Sequence, residues 1–230
     1  LEKASHGRPN TMEEALNTFS KYTYVGLGVD WGGGGVDMVS HTTIAVAGYL
    51  PLENRVDILY MYRLPRGKNS IEEVEVVLSF ASQFRVDFIA HDVAAAGKER
   101  EDILVQISGG VHLVVPFRYV WAPRQDMLKY NPPSPGYRGY YSLDKTRSLT
   151  VMITAIKHNQ IKVPTYNSAE NLFKDFQSLG EEIRPETDTR SASRVITRTG
   201  VNPDDMAHSA NFVSHAMWNV AKQQPRLSGR

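Results

Sequence analysis

The chain has 230 residues, 41% of them hydrophobic and 22% charged, with a formal net charge of +1; this is the balance of a folded domain with a full core and argues against disorder. No apolar run reaches the length of a membrane span, and no signal-peptide pattern opens the sequence. Cysteine is absent, which excludes a disulfide framework, a thiolate zinc site and a cysteine nucleophile, so any metal must rest on carboxylates or histidine.

In chain order, residues 1–21 read as a linker and a short helix opened by the capping pattern Thr11-Met-Glu-Glu14, packed outside the core. Residues 22–222 are expected to form one domain, followed by a tail at 223–230. The domain starts with the apolar run Tyr24-Val-Gly-Leu-Gly-Val-Asp30, a strand ending in a carboxylate, and then Trp31-Gly-Gly-Gly-Gly35, a sharp turn. Two more strands, 42–50 and 55–64, make an antiparallel meander. Ser70-Ile-Glu-Glu73 reads as a capping box, with Ile71, Val74, Val77, Leu78 and Ala81 at helical spacing behind it.

A buried strand over 86–91 ends at Asp92, a helix follows over 98–108, and 111–117 is again strand. A basic, aromatic, Pro-rich loop then runs to Ser142. This order of elements predicts an α/β fold, a mixed sheet whose later strands run parallel to the first. Next come a helix over 144–159, the edge segment Ile161-Lys-Val-Pro164, a helix opened by Ser168, a polar hairpin over 182–198, and a last helix from Pro203-Asp-Asp205 to about Lys222. Met152, Phe173, Phe176, Phe212 and Trp218 are expected in the core.

Charge is unevenly spread. Residues 53–102 carry seven Lys/Arg against ten Asp/Glu, whereas 117–147 carries Arg118, Arg124, Lys129, Arg138, Lys145 and Arg147 against only Asp126 and Asp144. With Tyr130, Tyr137, Tyr140 and Tyr141 interleaved, the second stretch has the composition of a phosphate-backbone track or of a solvated loop.

Asp30 and Asp92 both end apolar strands and precede small residues. On parallel neighbouring strands, about 4.8 Å apart, their carboxylates would lie side by side and repel unless one is protonated or a cation sits between them. Asp204-Asp205 form a third acidic point, with His208 three residues beyond Asp205 on the same helix face. Oxygen ligands from three elements suit Mg2+ or Mn2+. Each acid also has a plain structural role open to it: Asp30 can order a turn before glycines, and Asp204 and Asp205 are good first-turn residues. His208 is either a ligand or a helix-face histidine bonded to Asp204 or Asp205.

Taken together, Val29-Asp30-Trp-Gly-Gly-Gly-Gly35 with Thr43-Ile-Ala-Val46, Phe88-Ile-Ala-His-Asp92-Val-Ala-Ala-Ala-Gly97, Asp144-Lys-Thr146, Ile161-Lys-Val-Pro164 and Pro203-Asp-Asp-Met-Ala-His-Ser209 resemble the nuclease domain of the large terminase subunit of tailed bacteriophages. The likeness runs from about Tyr22 to Ala221. It implies a ribonuclease H-like fold, a mixed five-stranded sheet flanked by helices with an auxiliary β-hairpin. It implies an endonuclease that cuts concatemeric double-stranded DNA during genome packaging in the host cytoplasm, away from any membrane. Its partners would be an ATPase motor domain, a portal and a small terminase subunit.

By the same likeness, Asp30, Asp92 and Asp205 are the catalytic ligands of two Mg2+ or Mn2+ ions, Asp30 bridging, with His208 as a fourth ligand and Asp204 in reserve. Lys145 takes the place of a basic residue near the site, and Arg124, Arg147, Lys129 and Arg138 would meet DNA phosphates. Two readings compete. An actin-like ATPase fragment also carries an acid followed by glycines, but no Lys-Ser/Thr follows Gly35 to make a Walker-type loop. In a non-catalytic DNA-binding or assembly module the acids would only cap helices.

Overall fold

The computed structural model describes residues 2–32, 40–94, 96–121, 125–136, 138–184, 193–200 and 202–223. Strands β1 (Tyr24–Asp30), β2 (Thr43–Leu50) and β3 (Arg55–Arg63) form the expected meander, with β1 and β2 paired from Tyr24 opposite Tyr49 to Asp30 opposite Thr43. On the other side of β1, β4 (Phe88–Asp92) and β5 (Leu113–Val120) add in parallel. These five strands, in the order β3-β2-β1-β4-β5, are the sheet anticipated from the sequence.

The sheet is larger than five strands. β6 (Leu128–Asn131) and β7 (Tyr140–Asp144) extend it beyond β5, and β8 (Ile161–Lys162) closes the far edge beside β3, giving eight strands in the order β6-β7-β5-β4-β1-β2-β3-β8. Most of β6 and β7 falls in the stretch read as a loop. Both are short and largely half-buried or exposed, without the apolar alternation that marks a strand, and the prolines between them hide the pairing. A separate antiparallel pair, β9 (Leu179–Arg184) and β10 (Ser193–Arg198), is the predicted hairpin; its tip lies outside the described residues.

Alternation along the strands divides the core into two layers. Val25, Leu27 and Val29 of β1 join Val74, Val77 and Phe80 of α2 (Ser70–Gln83) and Leu104 of α3 (Ala96–Ser108). Phe88 and Ala90 of β4 face the opposite way, onto α4 (Lys145–Lys157), α5 (Glu170–Gln177) and α6 (Asp205–Val220). Of the predicted core residues, Met152, Phe173, Phe212 and Trp218 are buried and Phe176 partly so.

α6 is buried on nearly every side from Asp205 to Trp218, lying against β1 and β2. Gly28 makes this approach possible: a methyl group there would overlap the backbone carbonyl of Ser209. No helix among the described residues is long and apolar enough to cross a membrane.

Three local expectations change. The helix α1 (Met12–Thr18), placed outside the core from its sequence, buries Ala15 and sets Leu16, with Phe19 just after it, against the α2 side. The capping box of α2 is Asn69 with Glu72, one residue ahead of Ser70, because the Asn69 side chain reaches the backbone N–H groups of both Ile71 and Glu72. The segment read as a linker is tied down along the sheet edge: the His6 N–H donates to the Val163 carbonyl (3.0 Å), and the Asn10 amide exchanges two hydrogen bonds with the Met61 backbone (2.9 and 2.8 Å).

The N-terminus of α6 is capped from another helix. Asp175 of α5, fully buried, accepts from the Met206 N–H (2.9 Å) and from the Arg63 guanidinium (2.5 Å). Asp175→Ala should therefore cost about 3 kcal/mol, leaving an unpaired Arg63 and an open helix end. In a thermal melt that is a drop of roughly 6–12 °C for a chain of this size.

Candidate metal and DNA site

Asp30 and Asp92 end neighbouring parallel strands. Val29 lies opposite His91, so the two acids that follow leave the sheet at the same level. Asp92 Oδ1 accepts from the Ala94 N–H at 2.8 Å, and Gly97 lets α3 start against the Asp92 carbonyl without a side-chain clash. Asp30 is tied to α6: its N–H donates to Ser209 Oγ (2.9 Å), which in turn donates to the Thr43 carbonyl (3.0 Å). One helical turn before Ser209 stands Asp205, and this bonding brings it to the ends of β1 and β2.

Capping does not occupy the two acids of α6, since Asp175 performs that role. Asp205 instead accepts from Ser40 Oγ (3.1 Å) and from the His41 N–H (2.8 Å), just before β2. Asp204 Oδ2 meets His208 Nε2 at 2.9 Å, and His208 Nδ1 meets the Tyr119 hydroxyl at 3.1 Å. Both ring nitrogens of His208 are thus engaged, and the histidine stands as a partner of Asp204, one of the two arrangements open to it from sequence.

Asp30 is the carboxyl on which the other acids act. Burial drives the Asp30 carboxyl well above its ordinary value, and the charges of Asp205, Asp92 and Asp204 push it further, with Lys145 opposing. Asp92 is raised by burial against the pull of the Ala94 N–H, Lys145 and Arg118. Asp205 is raised by burial in spite of its bonds to His41 and Ser40. Burial acts on Asp204 in the same direction, but the His208 hydrogen bond and the nearby charges of Lys145 and Arg198 outweigh it and hold the group low.

Three carboxylates repelling a fourth is a charge imbalance that a hard divalent cation relieves, and an all-oxygen donor set suits Mg2+ or Mn2+. Among the described residues no three carboxylate or imidazole groups are arranged to hold one ion between them. The acids are neighbours without being a closed cage.

The basic candidates divide. Lys145, the first residue of α4, lies 5.5 Å from the centroid of the Tyr119 ring and acts on Asp30, Asp92 and Asp204. Arg147 donates to the Gln125 carbonyl at 2.5 Å. Arg138 is 3.8 Å from Asp102 of α3, and Lys129 is exposed on the edge strand β6. Arg124 and residues 33–39, with most of the glycine turn, lie outside the described residues.

Three contributors are missing from the sequence-based site residues: Tyr119, Arg118, which figures there only within the basic stretch, and Arg198. The first two sit on β5, which continues to Val120 instead of ending at Phe117; the alternation of buried Phe117, exposed Arg118 and half-buried Tyr119 is the signal that extends the strand. Beside them a cleft of about 260 Å³ opens between Tyr119, Trp121, Lys145, Thr146 and the hairpin residues Arg184 and Val195. The Ile196 N–H donates to Thr146 Oγ1 (3.2 Å), holding the hairpin against the start of α4.

No family model and no curated protein matches the sequence. Solved structures match its shape. The large terminase nuclease from thermophilic phage G20c superposes with a TM-score of 0.54 at 13% identity, over 84% of this chain and 81% of that one. The human cytomegalovirus terminase nuclease domain gives 0.52 at 17% identity over 88% of each chain. A variant nuclease domain of the large terminase subunit of bacterial virus Sf6, solved with manganese and beta-thujaplicinol, gives 0.58 at 10% identity over 88% of this chain and 93% of that one. The chain has the fold of the large-terminase nuclease domains.

Proposed function

We propose that this chain is a metal-dependent nuclease domain, an endodeoxyribonuclease that cuts concatemeric double-stranded DNA during viral genome packaging. The observation that carries the reading is the grouping of Asp30, Asp92, Asp204 and Asp205, from two parallel strand ends and one helix start, close enough that Asp30 responds to the other three. The terminase nuclease fold supports it, and the manganese in the Sf6 structure supports the class of cation. In this reading the domain works in the host cytoplasm beside an ATPase motor domain, a portal and a small terminase subunit.

Asp30, at the centre of the group, would bridge two Mg2+ or Mn2+ ions, with Asp92 and an acid of α6 holding one each. When bound, such ions supply an activated water and neutralise charge on the attacking and leaving oxygens of the phosphodiester. The protein's own part is positional. Ser209 fixes the Asp30 backbone, His41 and Ser40 orient Asp205, and His208 orients Asp204. Lys145, with Arg118 and Arg198 around it, would offer positive charge to the phosphate backbone.

Supercoiled plasmid incubated with the protein and Mn2+ should be nicked and then linearised, and a chelator should stop the reaction. Plasmid left intact at high protein concentration, with DNA still bound, would instead make the chain a non-catalytic DNA-binding module.

A further inference from the structure

We infer that Tyr119 is a positioning residue for Asp204, acting through His208, a role that rests on the nuclease reading above. The hydrogen-bond directions along this line follow from its two ends, starting with Asn211, whose amide is oriented by Ser148: the Ser148 hydroxyl donates to the Lys145 carbonyl (3.1 Å) and so accepts from Asn211. Asn211 Nδ2, which can only donate, lies 2.9 Å from the Tyr119 hydroxyl and 3.0 Å from Ser148 Oγ. The Tyr119 oxygen accepts from Asn211, and at the other end the Asp204 carboxylate, which can only accept, calls for the histidine proton on Nε2; the Tyr119 hydroxyl, 3.1 Å from His208 Nδ1, then donates to that nitrogen and favours the same tautomer. With Nδ1 accepting, the neutral imidazole carries its proton on Nε2, facing Asp204 Oδ2 at 2.9 Å. The opposite tautomer would set a nitrogen lone pair against the carboxylate.

Packing holds the line still. The Tyr119 ring lies 4.8 Å from Phe212 and stands edge-on to the His208 ring at 5.3 Å. His208 and Asn211 are buried. The consequence falls on the two neighbouring acids of α6, which are not equivalent. Asp205 has both oxygens engaged, by Ser40 and His41. Among the described residues, Asp204 is held through Oδ2 alone, and Oδ1 takes no hydrogen bond. Asp204 is thus the acid with an oriented oxygen to give to a cation, and the tyrosine supports that orientation from strand β5. A hydrogen-bonded partner behind a metal-binding group is worth about 10–100-fold in metal affinity or activity.

Tyr119→Phe removes the hydroxyl and keeps the ring, and with it the contacts to Phe212 and Lys145. In the full chain it should weaken Mn2+ binding, measured by titration calorimetry without DNA, by about tenfold. It should lower kcat for plasmid cleavage while leaving KM for DNA unchanged. In nitrogen-15 spectra His208 should be the Nε2–H tautomer in the parent chain and a mixture in Tyr119→Phe. His208→Gln, whose amide can still donate to Asp204, should bind Mn2+ better than His208→Ala.

If the parent chain binds Mn2+ and cuts plasmid, and Tyr119→Phe matches it in affinity, rate and tautomer, the positioning role is overturned and the nuclease reading stands. Wild-type Mn2+ affinity in Asp204→Asn also overturns it. If the parent chain neither binds Mn2+ nor cuts plasmid, the nuclease reading fails first and this role with it.

Discussion

Asp30→Asn should lower plasmid cleavage by on the order of a thousandfold and at the same time make the metal-free protein more heat-stable. Both effects have one cause. The carboxyl of Asp30 sits well above its ordinary value of 3.8 because burial and three neighbouring carboxylates oppose its ionisation. A raised carboxyl favours the folded state only while it is protonated. Its contribution is present below the unfolded value near 3.8 and is lost as pH rises through the higher folded value. At neutral pH an ionised Asp30 therefore works against the fold, and a neutral amide of the same shape removes that penalty.

A gain of about 1 kcal/mol is usual when a strained functional group is neutralised, or roughly 2–4 °C in melting temperature for a chain of this length. Asp92 and Asp205, raised by the same burial, add to the pH dependence with the same sign. The parent chain without metal should gain stability relative to Asp30→Asn as pH is lowered from neutral towards the carboxylate range. Cleavage should move the opposite way, failing as the acids protonate. Unchanged cleavage together with a lower melting temperature would identify Asp30 as a turn-former only.

Gly28→Ala is expected to be the most damaging one-carbon change near the site. The added methyl would meet the Ser209 carbonyl and come within 2.9 Å of Val213 Cβ and 3.0 Å of the Val213 nitrogen. Two of these three atoms are backbone, so no side-chain rotation relieves the overlap and α6 must move away from β1. Overpacking of this kind costs about 3 kcal/mol, or roughly 6–12 °C. Because Asp204 and Asp205 stand at the start of α6 while β1 carries Asp30, the same displacement should weaken Mn2+ binding by about tenfold. Thermal unfolding and calorimetric titration of one preparation read both. A stable protein with unaltered Mn2+ affinity would mean that the packing of α6 on β1 does not set the site.

The parts of this molecule legible in its sequence are those whose signal is local. Asp30 ends an apolar run and Asp92 follows Phe88-Ile-Ala-His91, apolar but for the histidine, so the central strands and the acids at their tips follow from local sequence. The buried face of α4 and the start of α6 at Pro203-Asp-Asp205 are visible for the same reason. What escapes depends on contacts between distant segments. Asp175 looks like one more polar residue on an amphipathic helix, yet it caps α6 and so leaves the Asp204 and Asp205 side chains to other partners. Tyr119 belongs to the site because β5 runs past Phe117, and nothing nearby in sequence points to His208. Arg138, in the basic, aromatic stretch, lies 3.8 Å from Asp102 with both side chains about half exposed, a neighbour that the sequence does not reveal. The strands β6 and β7 go unread because both are short and, apart from Leu143 and Asp144, half-buried or exposed, too little for apolar alternation to develop.

The central claim is that the carboxylates gathered around Asp30 bind divalent metal. Anomalous diffraction from crystals soaked in Mn2+ tests it most directly. The expected result is a peak within about 2.5 Å of carboxylate oxygens of Asp30 and Asp92, with an acid of α6 turned towards it and the peak absent in Asp30→Asn. Crystals that bind Mn2+ only elsewhere, or show no peak at these acids at saturating concentration, would contradict it.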